Sequence, residues 1–349
     1  MVFSHKILVW YGKNKRDLPW RGSKDAYEIW LSEIILQQTR VAQGTPYYLS
    51  FIQTFPKVAD LANAKEEAVL KLWQGLGYYS RARNLHAAAK MVVEEYEGQF
   101  PETYKELIKL KGVGDYTASA ISSICFNERQ AVVDGNVYRV LSRYFGVDIP
   151  INSTEGIKYF KNLAQVVLHA SNVRDYNQGI MEFGAIQCTP KNPDCTNCPL
   201  QDGCVALKEK RTDSLPVKLK KTKVKTRYFN YLVPVFVDVK GRKSTVLKQR
   251  TGKGIWQNLW EFPLLESDKE FDLKAIEHNY GQVLELNGQL NITLFNIDVV
   301  VHKLSHQHLV TKFWIVEIDT PLDNAVPVME LEKYPVPVLI SSFINAFKF

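Results

Sequence analysis

Four of the five cysteines in this 349-residue chain fall in one short stretch, Cys188, Cys195, Cys198 and Cys204, spaced C-x6-C-x2-C-x5-C. Pro190, Pro193 and Pro199 keep the backbone turning there, so that four sulfurs can converge on one centre. Four thiolates around one centre hold either tetrahedral zinc or an iron–sulfur cluster. Structural zinc grips with two short-spaced pairs, and only Cys195 and Cys198 make such a pair. The longer gaps suit a [4Fe-4S] cubane better, with zinc as the second reading. Disulfides are the third: they leave Cys125 as an odd thiol, and no export signal is read at the amino terminus.

The length allows two domains with cores of their own, and a hydrophobic fraction of 46% excludes a mainly disordered chain. The apolar run 7–10 gives way to Lys13, Lys15 and Arg16 with no small-residue cleavage site. No segment reaches the length of a membrane-spanning helix, and free thiols suit a reducing compartment, so a cytoplasmic protein without a membrane partner is expected. The formal charge of +7 is concentrated. Between 208 and 227 there are nine Lys or Arg against Glu209 and Asp213. With Pro216 and no sustained apolar period, this stretch reads as a linker, either a solvated tether or a basic strap along a phosphate backbone.

Before the cysteines the pattern is helical. Tyr27, Trp30, Leu31, Ile34 and Ile35 recur at i, i+3, i+4, i+7 and i+8, and the periodicity predicts further helices over 102–110 and 116–126. After the linker the period changes. Short β-branched or aromatic runs at 232–239, 245–249, 292–301 and 312–317 predict strands, with Lys240-Gly241-Arg242 as a hairpin turn and helices at 273–280 and 338–347. The expected organisation is multidomain: an all-α domain over 1–205, a basic linker over 206–227 and an α+β domain over 228–349.

Leu110-Lys111-Gly112-Val113-Gly114 between two helical patterns is a helix–hairpin–helix signature. Gly112 and Gly114 let the turn approach a phosphate, and the N–H groups opening the second helix can bind it without reading a base. A plain glycine-turned helix cap competes with that reading. In 131–136, Asp134 follows an apolar run at the mouth of another helix, where an aspartate is most often an N-cap. Glu33 is flanked on its helix by Ile29 and Leu36, and apolar neighbours raise the pKa of a carboxyl; the bland alternative is a solvated helix acid. A neutral acid paired with an ionised one suits cleavage of a glycosidic bond through an oxocarbenium-like transition state. In DNA that bond joins base to sugar, and the base must first leave the stack.

The segments Leu18-Pro19-Trp20-Arg21, 32–39 (SEIILQQT), 75–82 (GLGYYSRA), 112–118 (GVGDYTA), 133–137 (VDGNV) and the four cysteines, in this order, closely resemble the adenine DNA glycosylases of the MutY type, within the endonuclease III superfamily. The resemblance spans nearly the whole chain. It implies a monofunctional enzyme that acts, as a monomer, on double-stranded DNA and removes adenine opposite 8-oxoguanine or guanine. It also implies that Glu33 protonates adenine N7, that Asp134 stabilises the sugar cation, and that Tyr116 and Asn136 support that centre. Relatives that cut the strand carry a lysine at the place of Tyr116, and a tyrosine cannot form their Schiff base. Trp20, Arg21, Gln38, Thr39, Leu76 and Tyr78 match positions that contact DNA or the oxidised guanine, and Gln178 matches a polar position of the adenine pocket.

The carboxy-terminal part resembles the family's Nudix-like module, most clearly at 254–263 (GIWQNLWEFP). It lacks the R-E-x-x-E-E helix that would hold magnesium, so a reader of oxidised guanine is expected rather than a second enzyme. Leu304-Ser305-His306 falls where relatives carry Phe-Ser-His; Ser305 and His306 are recognition candidates, and Leu304 departs from the pattern. His302, His306 and His308 read as a solvated cluster. Two other functions compete: a lyase acting on oxidised pyrimidines, which Tyr116 disfavours, and a non-catalytic DNA-binding protein with a structural metal.

Overall fold

Helices form where the apolar residues repeat at the helical period, beginning with α1 (Val2–Asn14) and α2 (Ala26–Leu36). Asp25 caps α2 by accepting from the Tyr27 N–H, and Tyr27, Trp30, Leu31, Ile34 and Ile35 are all buried along one of its faces. There follow α3 (Val41–Thr54), α4 (Val58–Asn63), α5 (Glu66–Leu72), α6 (Ser80–Glu95), α7 (Tyr104–Leu107), α8 (Asp115–Phe126), α9 (Gly135–Phe145), α10 (Thr154–Val167), α11 (Val173–Ile186) and α12 (Val205–Lys208). In this computed structural model residues 2–219, 224–284, 286, 290–320 and 322–349 are described. They divide into two units: Met1–Asn63 with Asn84–Lys220, and Ala64–Arg83 with Lys221–Phe349.

In the helical unit α11 is the hub. It packs against α1, α8 and α9, while α8 also packs against α2. The approach to α9 is close because residue 184 is glycine; a Cβ there would lie 2.6 Å from the Asn136 Cβ. The helix expected over 102–110 shrinks to the single turn of α7, which starts on the Thr103 cap and stops ahead of the glycine turn at 112. The stretch expected as a linker is not a free tether over 206–219. Ala206 and Leu215 are buried, Val217 accepts from the Ile151 N–H, and Leu219 exchanges hydrogen bonds with the Asn152 side chain. At its other end Lys225 and Arg227 already belong to a strand, while Lys220, Lys221 and Lys223 lie outside the described residues.

The second unit is built on β1 (Lys225–Val237), β2 (Lys243–Val246), β3 (Lys248–Gln249), β4 (Trp260–Glu261), β5 (Leu264–Ser267), β6 (Asn291–Leu294), β7 (Val300–Lys303), β8 (Gln307–Ile318) and β9 (Ala325–Pro327), with helices α13 (Leu273–Asn279), α14 (Gly281–Leu284) and α15 (Val338–Phe347). The long strands β1 and β8 run parallel at its centre, and β2 pairs β1 through the expected hairpin. Both faces are covered, as parallel strands require. Leu232, Trp314 and Val316 pack with Ile276 and Leu284 of α13 and α14, while on the other side Tyr231 stacks on Phe313 and Phe313 on Phe343 of α15. The run 292–301 is two strands rather than one. Between them the Asn296 side chain bonds the Thr311 carbonyl and the Phe313 N–H, replacing the ladder on β8.

Candidate active site

The turns that open α8 and α9, the inner face of α2 and the middle of α11 enclose a cavity of about 1210 Å3. Into it the helical unit brings Glu33, Tyr116, Asp134 and Asn136, together with Trp20, Arg21, Gln38, Thr39, Gly112, Gly114 and Gln178. Residues as far apart in sequence as Trp20 and Gln178 therefore share one wall. Among the described residues neither Glu33 nor Asp134 is in an ion pair.

Glu33 sits on α2 with Ile29 and Leu36 also lining the cavity, as its sequence neighbours lead one to expect. Burial pushes its carboxyl up to about 7; the hydrogen bond from Tyr116 works against this, the Asp134 charge adds to it, and Arg21 opposes it. The Tyr116 hydroxyl donates to Glu33 Oε2 at 2.6 Å and lies 3.2 Å from the Met181 sulfur. Burial and the two neighbouring carboxylates raise its own proton affinity well above that of an ordinary tyrosine. Tyr116 is therefore a hydrogen-bond donor, not a nucleophile.

Asp134 is the N-cap of α9 and a cavity residue at once. Its Oδ1 accepts from the Asn136 and Val137 N–H groups at 2.9 and 2.8 Å, and its Oδ2 accepts from Asn136 Nδ2 at 2.7 Å. Burial is the largest effect and raises its carboxyl on balance, although the three donors and Arg139 pull it down. Burial thus raises both acids, but only Asp134 has a helix N-terminus and three donors opposing the rise. Asn136 is fixed in turn, because its Oδ1 accepts from Arg139 at 2.9 Å.

Arg139 and Arg143 of α9 also reach the cysteine loop. Arg139 donates to the Cys188 carbonyl at 2.7 Å. Arg143, buried, bonds the carbonyls of Thr189, Pro190 and Leu215 and approaches the Cys188 sulfur at 3.4 Å. Cys188, Cys195, Cys198 and Cys204 line one cavity of about 30 Å3. Burial raises the Cys195, Cys198 and Cys204 thiols, Cys198 to about 11, and neighbouring cysteines add to the effect. Partly buried thiols whose anions are disfavoured by burial and by one another are stabilised as thiolates by a cationic centre, so these donors fit an iron–sulfur group.

The hairpin turn between α7 and α8 has Gly112 at φ +75°, and a Cβ there would lie 2.6 Å from the Asn84 Cβ. A larger residue would meet both strain and a clash. In the second unit Leu76, Tyr78, Ser305 and His306 line a separate cavity of about 570 Å3, with Trp256 and Arg83. The turn that carries Ser305 and His306 is closed by a Leu304 N–H to Gln307 carbonyl bond of 2.8 Å. Leu304 lines the same cavity, while the His302 ring lies tilted against Trp256 at 5.6 Å. Glu182, Arg16 and Met181 line the larger cavity but carry no motif of their own. Their signal in the sequence is position, since Glu182 follows Gln178 by four residues on one helical face.

A fold of this kind, with a helix–hairpin–helix turn beside paired acids and a four-cysteine loop, defines a base-excision glycosylase. The description "HhH-GPD superfamily base excision DNA repair protein" matches residues 31–160, "Iron-sulfur binding domain of endonuclease III" matches 188–204, and "NUDIX domain" matches 235–346. An adenine DNA glycosylase of Buchnera aphidicola subsp. Schizaphis graminum is 40% identical over 87% of this chain and 84% of its own length. That of Mus musculus is 35% identical over 93% and 73%. A solved thermostable thymine-DNA glycosylase is 31% identical, with a TM-score of 0.55 over 60% of this chain and 96% of its own. A non-covalent endonuclease III–DNA complex, 20% identical with a TM-score of 0.51 over 60% and 94%, shares the fold. The chain belongs to the adenine DNA glycosylase family.

Among the described residues no helix is long and apolar enough to cross a membrane.

Proposed function

We propose that this protein removes adenine mispaired with 8-oxoguanine or guanine in double-stranded DNA, hydrolysing the N-glycosidic bond without efficient strand cleavage. The observation that carries the proposal is the meeting of Glu33 and Asp134 in one cavity, with one hydrogen-bond donor on the Glu33 carboxyl and three on that of Asp134. Adenine leaves as a poor anion unless it is protonated. Glu33, whose carboxyl burial raises to about 7, donates in its neutral form to N7 of the extruded base, and the Tyr116 hydroxyl keeps the carboxyl aimed. As the bond lengthens, positive charge grows on the sugar. Asp134, fixed by three hydrogen bonds, stabilises that charge without reorganising. Asn136 supports Asp134 and the attacking water. No amine stands at Tyr116 to form a Schiff base, which supports base removal as the end of the reaction.

In the second unit the gathering of Leu76, Tyr78, Ser305 and His306 supports recognition of 8-oxoguanine there. Gln178 serves the adenine side, Trp20, Arg21, Gln38 and Thr39 contact the duplex or the oxidised guanine, and the Gly112–Gly114 turn serves phosphate. Residues 1–205 without segment 64–83 are the catalytic part, and 228–349 together with that segment the reader. Cys188, Cys195, Cys198 and Cys204 would hold one [4Fe-4S] cluster, which supplies structural rigidity to their loop. The enzyme acts as a cytoplasmic, DNA-associated monomer.

The test is a duplex oligonucleotide carrying adenine opposite 8-oxoguanine. Strand breaks that appear only after alkali support the reading. Breaks without alkali point to a lyase, and binding with no product points to a non-catalytic protein.

A further inference from the structure

One buried group in the larger cavity has no part in the mechanism above. Glu182, whose side chain is 2% exposed, projects from α11 between two arginines of the segment that precedes α2. Its Oε1 accepts from Arg16 Nε at 2.6 Å and from the Arg16 backbone N–H at 3.1 Å. Its Oε2 accepts from Arg16 Nη2 and from Arg21 Nη2, each at 2.8 Å. Arg21 bonds the Tyr11 hydroxyl at 2.9 Å, and that hydroxyl faces Gln178 Oε1 at 3.4 Å. The Arg21 Nε–H is buried without a hydrogen-bond partner among the described residues.

Resting on the excision reading above, we propose that Glu182 is a positioning residue: it clamps Arg16 and Arg21 as a fixed wall of the adenine cavity and offsets one of their two charges, so that Arg21 does not strip the proton from Glu33. A lone arginine beside a carboxyl favours its anion, which is the wrong state for a proton donor. The titratable or charged groups that act on Glu33 are Tyr116, which bonds it, and Cys125 from α8, Asp134 from the start of α9, and Arg21 from the preceding segment. Of these only Arg21 is cationic, and Glu182 is the carboxylate bonded to it. Around Glu182 itself stand Arg16, Arg21 and Tyr11, with Asp175 also acting on Tyr11. Burial works against the Glu182 charge, yet the two arginines hold its carboxyl below the usual range, so it stays ionised wherever the enzyme works.

The experiment is the pH dependence of single-turnover adenine excision for wild type, Glu182→Gln, Glu182→Asp and Arg16→Gln, with circular dichroism as a folding control. With Glu182→Gln the alkaline limb moves to lower pH by about one unit, as an uncompensated neighbouring cation requires. The rate loss is then large at pH 8 and shrinks towards pH 5.5. Glu182→Asp keeps the charge and leaves the limb at its wild-type pH with a lower plateau. Arg16→Gln removes a cation, so its limb does not move to acid. A Glu182→Gln profile parallel to wild type, or an acid shift in Arg16→Gln, overturns the proposal. Failure of wild type to excise adenine would overturn the functional reading instead.

Discussion

The cavity of the helical unit and the cavity beside the β7–β8 turn treat charge in different ways. The first keeps two carboxylates, Glu33 and Asp134, partly buried and outside any ion pair among the described residues, while the other acids on its wall, Asp115 and Glu182, are paired to Lys161 and to Arg16 and Arg21. The second has Arg83, Arg227, Lys303 and His306 on its wall and no carboxylate among its described lining residues. Leaving a desolvated acid without a cation costs stability, and a fold tolerates that only where the proton has work to do. A cavity that grips a base needs donors and apolar walls but no acid near neutrality. On the proposed reading, the contrast separates where bonds break from where a partner base is held.

The largest effect is expected from Asp134→Asn. It should lower adenine excision by roughly 10²–10³ or more, since a preorganised charge facing the cation is lost. Duplex binding should stay near wild type, because the hairpin turn is untouched. Glu33→Gln should also remove excision, yet raise stability. The folded carboxyl at about 7 lies above its ordinary 4.5, so the unfolded chain gives up its proton first and stability falls as pH rises between those values. The glutamine escapes that loss, and urea unfolding at pH 8 should show the variant more stable by on the order of 3 kcal/mol. Equal or lower stability would mean that Glu33 is not held neutral by the fold.

Ser305→Ala with His306→Ala should sharpen the comparison from the other side. The preference for 8-oxoguanine over guanine opposite adenine should fall about tenfold, on the order of one lost hydrogen bond, with excision from the guanine mispair unchanged. Gly112→Ala should give the smallest change. Its φ of +75° and the Asn84 contact should cost about 1 kcal/mol, read as a weaker duplex affinity and a lower melting temperature at unchanged single-turnover rate.

Much of this was legible in the chain. The apolar stripe of α2, the glycine turn, the acid after an apolar run and the cysteine spacing are local patterns, and each lies where local physics puts it. Asp134 shows the limit of choosing between readings, since it is a helix cap and a cavity residue together. Segment 64–83 was not legible. Its period is helical like its neighbours, but it groups with the sheet unit, where Glu66 bonds Asn258 at 2.6 Å, Glu67 bonds Trp260 at 3.0 Å and Arg83 bonds the Gln257 carbonyl at 2.9 Å. Partners almost 200 residues away leave no periodic trace. The Arg16–Glu182–Arg21 clamp is hidden for the same reason, as charges on a helix read as solvated until the fold closes around them.

The most direct test of the paired-acid account is the pH profile of single-turnover adenine excision by the wild-type enzyme. The rate should hold in mildly acidic buffer and fall as pH rises through about 7, where Glu33 loses its proton. A rate that instead climbs through pH 7 to an alkaline plateau would show that Glu33 acts as an anion, and would contradict the account.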